Sequence, residues 1–312
     1  MSVTLVRDWR GLPDSQRGAA VALGNFDGVH LGHQRVIAAA REAAERLGAP
    51  LGVVSFEPHP RLFFQPDAEP FRVMSLNQQA RALEALGVEL FYALPFDAAM
   101  AGMSDTDFAE QVLAQGLGVA AVAVGFDVTY GKGRTGGPVE LKAAGDRLGF
   151  GVSVVERVDD AKGMKLSSTA VRDALHDGKP GFAAAILGRG FAIEGEVIHG
   201  DKRGRTIGVP TANIRLGDYV RPKYGVYSIT ARLPDGRTFD GVANLGIRPM
   251  FEVPEPLLEA WLFDFDEDLY GQVIEVELTG FIREEMSFDS LEALKAQIDD
   301  DAAKARWWRD MR

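Results

Sequence analysis

The sequence contains no cysteine. This absence excludes disulfides, thiolate catalysis and cysteine-ligated zinc, and it is typical of a reducing cytoplasm. No run approaches the roughly 20 apolar residues of a membrane-spanning helix. The N-terminal residues also lack the apolar core of a signal peptide. We therefore expect a cytoplasmic protein with no membrane partner.

Positive charge is also scarce. The chain has 34 Lys and Arg against 45 Asp and Glu, which gives a formal net charge of −11. This balance argues against nucleic acid as a partner, so an anionic ligand must be met by a local site. The composition, 46% hydrophobic and 25% charged, is typical of a soluble globular protein. A length of 312 residues is enough for two ordinary domains.

The first part of the chain alternates short apolar runs with helical patterns. Strands are predicted at 19–23, 51–56, 88–94, 119–124 and 152–155, and helices at 34–47, 76–86, 105–117 and 139–148. Ser104 and Asp107 have the spacing of a capping box. The alternation predicts an α/β domain with a Rossmann-like parallel sheet, whose ligands bind beyond the carboxyl ends of the strands.

Short strands joined by turns fill the second part. They are predicted at 191–199, 211–214, 225–232, 239–244, 258–265 and 273–281, with a hairpin turn at Asp235-Gly236. This spacing predicts a small antiparallel β-barrel, closed by a terminal amphipathic helix from Leu291 onward. A turn cluster at 177–181 separates the two parts. We predict one domain at 1–183 and a second at 187–312.

One segment is more informative than any other: Gly24-Asn25-Phe26-Asp27-Gly28-Val29-His30-Leu31-Gly32-His33. It joins a predicted strand to an Ala-rich helix. A strand, a Gly-rich turn and a helix N-terminus form an anion site, because backbone N–H groups and the positive helix end favour phosphate. His30 and His33 add directed donors. The His-x-Gly-His turn resembles that of nucleotidyltransferases that act on the α-phosphate of ATP.

Three further motifs are expected at the same sheet edge. Phe56–Pro60 follows the second predicted strand, Gly125–Arg134 follows the fourth, and Ser167–Arg172 opens a helix. Hydroxyls at a helix start with an Arg in its first turn suit phosphate binding. A rigid turn, a mobile loop and an ordinary helix cap are the alternative interpretations. Their shared position favours the functional interpretation.

In order and spacing, the four segments resemble the FMN-adenylylating half of the bifunctional riboflavin kinase/FAD synthetases. The resemblance implies three sets of residues. The catalytic set is His30, His33 and Arg172. ATP and its phosphates would be bound by Gly24, Asn25, Phe26, Asp27, Ser168 and Thr169, and the flavin by Phe56, Pro58, His59 and Asp127. Val128 and Tyr130 replace the usual phenylalanines of the third motif, and we expect altered flavin packing there at most.

The second part has neither a Walker A sequence nor protein-kinase motifs. Instead, a Gly-rich basic loop at 195–208 leaves its backbone free to approach phosphates. Thr211 and Asn213, two apart on an extended segment, are neutral oxygen ligands suited to a magnesium ion that also holds ATP phosphates. Glu259 interrupts an apolar strand, either as an edge residue facing water or as a base for phosphoryl transfer.

This second part resembles the riboflavin kinases. The matching segments are Gly208–Asn213, Gly225–Tyr227, Asn244–Pro249 and Leu258–Phe265. The resemblance implies that Thr211 and Asn213 bind Mg²⁺ with ATP and that Glu259 is the catalytic base. Gly204, Arg205 and Gly208 are the expected phosphate-binding residues of the loop. Met250 and Trp261 stand where Thr and His are usual, which leaves the ligand contacts there open.

We therefore expect one chain that converts riboflavin to FMN and FMN to FAD. Riboflavin, FMN and ATP are the expected partners, with Mg²⁺ as the cofactor and no nucleic acid. A first alternative keeps only the adenylyltransferase and makes the barrel a flavin-binding regulatory module. Intact Thr211, Asn213 and Glu259 argue against it. A second alternative is a tRNA-handling protein, against which the acidic charge counts.

Overall fold

The computed structural model describes residues 2–157, 166–199, 209–248 and 255–310. The chain divides into two units, one formed by Met1–Ala68 with Leu76–Leu166 and the other by Glu69–Ser75 with Ser167–Arg312. This division falls upstream of the boundary expected between residues 183 and 187. The predicted domain bounds themselves stay a prediction.

A parallel six-stranded sheet forms the centre of the first unit, which confirms the predicted fold. Its strands are β1 (Thr4–Val6), β2 (Ala20–Leu23), β3 (Leu51–Glu57), β4 (Leu90–Pro95), β5 (Ala121–Gly125) and β6 (Gly151–Val155). Their order is β1-β4-β3-β2-β5-β6. The sequence pattern predicted every strand except β1. Because the strands are parallel, their carboxyl ends meet at one edge, where ligands of such sheets bind.

Helices connect these strands. They are α1 (Leu31–Leu47), α2 (Pro60–Phe64), α3 (Leu76–Ala85), α4 (Ala98–Gly102), α5 (Asp105–Asp107), a π-helical segment (Phe108–Leu117) that continues α5, and α6 (Pro138–Leu148). The predicted cap at Ser104 is confirmed, because its hydroxyl accepts a hydrogen bond from the backbone N–H of Asp107 at 3.0 Å. In the described part of the chain, no helix is long and apolar enough to cross a membrane. The cytoplasmic location stays a prediction.

The core of the first unit lies between the sheet and the π-helical segment. Val54, Leu94 and Val124 from the sheet and Phe108 and Leu113 from the segment belong to one buried cluster. Burying each such side chain contributes roughly 1.5 to 3 kcal/mol. The strand ends that carry the candidate site are therefore held by a well-packed core.

A closed antiparallel barrel forms the centre of the second unit, as predicted. Its strands are β7 (Phe191–Ile198), β8 (Ala212–Arg215), β9 (Gly225–Arg232), β10 (Thr238–Arg248), β11 (Glu255–Leu262) and β12 (Val273–Arg283). Around the barrel they follow the order β10-β11-β8-β7-β12-β9. The predicted hairpin turn joins β9 to β10, with Gly236 left-handed at a φ of 88°.

The predicted terminal helix, α9 (Leu291–Asp310), packs against the barrel. The guanidinium of Arg283 on β12 donates to the carboxylate of Asp301 on α9 at 2.7 Å, and the Asp301 side chain is only 3% exposed. A buried carboxylate without a partner is strongly destabilising, so this pair fixes the position of α9 on β12.

Two further helices precede the barrel in the second unit: α7 (Ser168–His176) and α8 (Pro180–Leu187). The sequence predicted α7 but not α8, which packs against β7 and β12. The segment 69–75 belongs to the same unit. The backbone N–H of Arg72 donates to the Asp218 carbonyl at 2.9 Å, and its carbonyl accepts from the N–H of Val220 at 2.8 Å.

We expect a fragment of residues 167–312 to be more stable than one of residues 187–312. The shorter fragment lacks Val171, Leu175 and Ile186, each no more than 1% exposed. Burial of such a side chain contributes about 1.5 to 3 kcal/mol. Urea unfolding of the two fragments measures the difference, and equal unfolding midpoints would show that α7 and α8 do not stabilise the barrel.

Candidate active sites

The turn between β2 and α1 is the best-defined candidate site in the first unit. Its backbone is left-handed at Phe26, with a φ of 49°, and at Val29, with a φ of 40°. This conformation costs about 1 to 3 kcal/mol for a residue with a side chain. Both side chains are fully buried, and their burial offsets that strain. Asp27 between them is also buried, and the N–H of Gly24 ties the turn to the Val54 carbonyl at 3.1 Å.

His30 is the N-cap residue of α1. Its Nδ1 accepts a hydrogen bond from the backbone N–H of His33 at 3.2 Å, which satisfies one N–H group of the first helical turn. An accepting Nδ1 carries no proton, so the neutral ring holds its proton on Nε2 and donates from that atom. The start of a 17-residue helix also offers positive potential to an anion.

His33 lies between two other rings. The His30 ring stacks on it with centroids 3.6 Å apart, and the Phe26 ring packs against it edge-on at 5.1 Å. Gly32 makes room for the stack, since a Cβ there would lie 3.0 Å from the His30 ring and 2.9 Å from the Leu166 carbonyl oxygen. The structure thus brings His30 and His33 together at the start of α1, and their chemical role stays a prediction.

The predicted flavin side begins where β3 ends. His59 caps α2, because its Nδ1 accepts from the backbone N–H of Arg61 at 3.1 Å. The peptide bond between Glu57 and Pro58 is cis. Phe56 belongs to a group of rings, here called the aromatic cluster, whose neighbouring centroids lie between 5.3 and 6.1 Å apart: Phe56, Phe63, Phe64, Phe96 and Phe108.

Four members of the aromatic cluster were not among the predicted site residues: Phe63, Phe64, Phe96 and Phe108. The available signal was the Phe63-Phe64 pair, which follows the Pro-His-Pro motif after only two residues. Phe64 is 64% exposed and Phe63 37% exposed. Aromatic faces open to solvent suit a flat aromatic ligand, so the aromatic cluster fits the expected flavin side of the site.

The segment after β5 carries Asp127 and Tyr130. Asp127 is exposed just beyond the carboxyl end of β5. Tyr130 packs against Phe108 of the aromatic cluster at 5.6 Å. Burial, together with the nearby carboxylates of Asp105 and Glu140, raises the pKa of Tyr130 to about 12. The phenol therefore keeps its proton at neutral pH.

Ser168, Thr169 and Arg172 lie on α7 and belong to the second unit. Ser167 caps this helix by accepting a backbone N–H at 3.2 Å. Arg172 donates from Nε to the carbonyl of Phe71 at 2.7 Å, and its guanidinium lies 5.2 Å from the centre of the Phe71 ring. Arg172 thus contacts the segment 69–75, which the sequence did not indicate. The phosphate-binding role of the three residues stays a prediction.

Strand pairing places three polar residues in one row on the barrel. Glu259 of β11 lies directly opposite Asn213 of β8 and opposite Asn244 of β10. Directly opposite residues of antiparallel strands share a face, with Cα atoms about 4.5 to 5.5 Å apart. Asn213 is buried, and Glu259 and Asn244 are half-buried. Glu259 is therefore flanked by amides on both sides.

Asn244 was not among the predicted site residues, although it opens the segment Asn244–Pro249 that resembles the riboflavin kinases. Its Nδ2 donates to Oε1 of Glu285 at 3.2 Å. Trp261, two residues after Glu259 on the same face, packs against Phe263 at 5.3 Å and against the cluster that α9 buries. Trp261 thus takes part in packing between barrel and helix.

Thr211 and Asn213 remain the candidate metal ligands. The Asn213 amide donates from Nδ2 to the Thr211 carbonyl at 3.4 Å. Within the described ranges, no group of three or more His, Cys, Asp and Glu side chains is placed to hold a metal ion. Two neutral oxygens fit a hard cation that takes its other ligands from water and phosphates. Gly204, Arg205, Gly208 and Met250 lie outside the described residues.

Two family models match the chain, one described as FAD synthetase over residues 12–170 and one as riboflavin kinase over residues 187–309. Curated relatives named bifunctional riboflavin kinase/FMN adenylyltransferase span nearly the whole chain. The Haemophilus influenzae protein is 42% identical over 95% of this chain and 97% of its own length. The Bacillus subtilis protein is 39% identical over 96% of each.

A solved structure also resembles the chain over almost its full length. It is a crystal structure described as a macrolide-efflux protein from Streptococcus pneumoniae, with a TM-score of 0.86 and 30% identity. The match covers 98% of this chain and 99% of that one. The backbone arrangement described above is therefore found in an experimental structure of a related sequence.

The cap at His30 predicts different stabilities for two substitutions. His30→Ala removes the acceptor of the His33 N–H, and loss of an N-cap costs about 1 kcal/mol. His30→Asn keeps a capping oxygen, because Asn is a preferred N-cap residue. We expect urea unfolding to show the Ala variant less stable than the Asn variant by about that amount. Equal stabilities would mean that the cap contributes nothing.

Proposed function

The chain belongs to the family of bifunctional riboflavin kinases/FMN adenylyltransferases, and we propose that it performs the two reactions at different sites. The chain phosphorylates riboflavin with ATP to give FMN, and it transfers the adenylyl group of a second ATP to FMN, giving FAD and pyrophosphate. The sheet carries the His30–His33 turn proposed for the adenylyl transfer, and the barrel carries the residues proposed for the phosphorylation.

The assignment of the two reactions to different sites rests on the presence of two polar sites. The His30–His33 turn lies in the sheet unit, and the row of Asn213, Glu259 and Asn244 lies on the barrel. A barrel with only a regulatory role is not favoured, because the riboflavin kinase family model covers it.

Adenylyl transfer needs no protein nucleophile. A phosphate oxygen of FMN attacks the α-phosphorus of ATP, the bond to the bridging oxygen breaks, and pyrophosphate leaves. The protein must hold two anions in line and stabilise the developing charge. Nε2–H of His30, the ring of His33 and the N–H groups at the start of α1 are the proposed donors. The turn residues Gly24, Asn25, Phe26 and Asp27 shape the nucleotide side.

The aromatic cluster extends the proposed flavin side. Phe56, Pro58 and His59 border it at the end of β3, and Asp127 borders it beyond β5. The exposed rings of Phe63 and Phe64 provide flat apolar surface for the isoalloxazine ring. Ser168, Thr169 and Arg172 are assigned to ATP phosphates by the family resemblance alone.

Phosphorylation of riboflavin needs a base for the 5′-hydroxyl. As the hydroxyl oxygen attacks the γ-phosphorus and ADP leaves, the carboxylate of Glu259 accepts the proton. The amide of Asn213, directly opposite, lies beside it. We propose that Thr211 and Asn213 hold Mg²⁺, which when bound would neutralise part of the triphosphate charge.

Replacing His33 by Ala should impair only one reaction. The change removes a donor aimed at the triphosphate and leaves the cap at His30 in place, because that cap uses the backbone N–H of residue 33. Loss of one such donor typically lowers turnover about 100- to 1,000-fold. We expect a loss of that order in FAD formation from FMN, with riboflavin phosphorylation near normal. Equal losses in both activities would indicate a folding defect.

Glu259→Gln tests the base. Gln keeps the size and accepts hydrogen bonds, but it does not take up the proton, and general-base catalysis contributes about 100- to 10,000-fold. We expect FMN formation to fall by that order while FAD formation from supplied FMN is unchanged. Glu255→Gln is the matched control, since Glu255 lies on the same strand and pairs with Arg215 at 3.1 Å. Normal FMN production by a folded Glu259→Gln protein would exclude Glu259 as the base.

A further inference from the structure

The backbone carbonyl of Asn25 accepts two hydrogen bonds from outside the His turn. Oγ of Ser55 on β3 donates to it at 2.8 Å, and Nε2 of Gln79 on α3 donates to it at 3.1 Å. Ser55 and Gln79 are each 3% exposed. Buried polar groups require hydrogen-bond partners, and this one carbonyl is the acceptor for both side chains.

A carbonyl held by two donors fixes the plane of the peptide group that follows it. The next residue is Phe26, whose left-handed backbone turns its ring towards Gly24 and His33. A Cβ on Gly24 would lie 3.4 Å from the Phe26 ring, and the Phe26 ring meets the His33 ring at 5.1 Å. Rotation of the Asn25 carbonyl would therefore move Phe26 and, through it, His33.

From this chain of contacts we propose that Gln79 and Ser55 are positioning residues for adenylyl transfer. They act through the Asn25 carbonyl and the Phe26 ring to hold His33 where it meets the triphosphate. The proposal rests on the proposed role of His33. Neither residue touches the reacting atoms, and neither lies in a segment that carried the family resemblance.

Gln79→Met removes the donor and keeps a side chain of the same length. A small displacement of a group that meets the transition state can cost about 100-fold in turnover. We expect kcat for FMN adenylylation to fall about 10- to 100-fold, with a smaller change in KM for ATP and FMN. Binding of FMN, followed by quenching of its fluorescence, should stay near the wild-type level. A loss of FMN binding equal to the loss in kcat would mean a merely structural role.

Ser55 provides a second, independent test on another element. Ser55→Ala should lower kcat in the same direction, and Ser55→Thr should restore it, because Thr keeps the hydroxyl. Gln111→Met is the matched control, since Gln111 makes its amide contact with Asp107 at the surface. Equal activity of Ser55→Ala and Ser55→Thr would overturn the role of Ser55, and a kcat loss in Gln111→Met like that of Gln79→Met would overturn that of Gln79.

A double variant that combines Gln79→Met with His33→Ala tests whether Gln79 acts through His33, and Ser55→Ala is tested in the same way. If they do, Gln79→Met adds little further loss in the His33→Ala background, a non-additive result. Losses that multiply would overturn the proposal. Normal turnover of Gln79→Met beside an impaired His33→Ala protein would overturn the proposal and leave the proposed function standing. Normal FAD formation by His33→Ala would overturn the role of His33 and this inference with it.

Discussion

The hydrogen bond from the backbone N–H of His33 to Nδ1 of His30 is the interaction on which the proposed adenylyl-transfer site depends. It begins α1, fixes the tautomer of His30 and brings the two imidazoles into a stack. This one hydrogen bond therefore directs both the positive end of α1 and the imidazole donors towards the proposed phosphate site. The proposed triphosphate site is compatible with the net charge of −11, because its positive potential is local.

In the barrel, the register in which neighbouring strands pair determines which polar side chains lie side by side. Glu259 has apolar neighbours on its own strand, so the sequence pattern alone does not show which side chains lie beside it. The closed barrel places Asn213 on one side and Asn244 on the other, because β11 pairs with both β8 and β10. The same face continues into the apolar cluster covered by α9. Packing of the terminal helix thus holds the strands whose register builds the proposed kinase site.

Local patterns in the sequence predicted most of the fold, and long-range contacts account for what they missed. β1 has three residues with one buried side chain, too few for a periodic pattern. Only the first two residues of α8 lie in the predicted turn cluster at 177–181, and Pro180 among them is a residue type favoured in the first helical turn. Motif residues such as His30 were identified by type and spacing. Asn244 and Gln79 were not, since only strand register and a tertiary hydrogen bond give them a role.

Incubation of the whole chain with riboflavin, ATP and Mg²⁺ tests most directly whether one chain performs both reactions. Flavins separated over time, with ADP and pyrophosphate measured in parallel, follow each step. We expect FMN to form first with an equimolar amount of ADP, and FAD to follow with an equimolar amount of pyrophosphate. FAD formation from supplied FMN without any FMN formation from riboflavin would contradict the assignment of the barrel as a kinase.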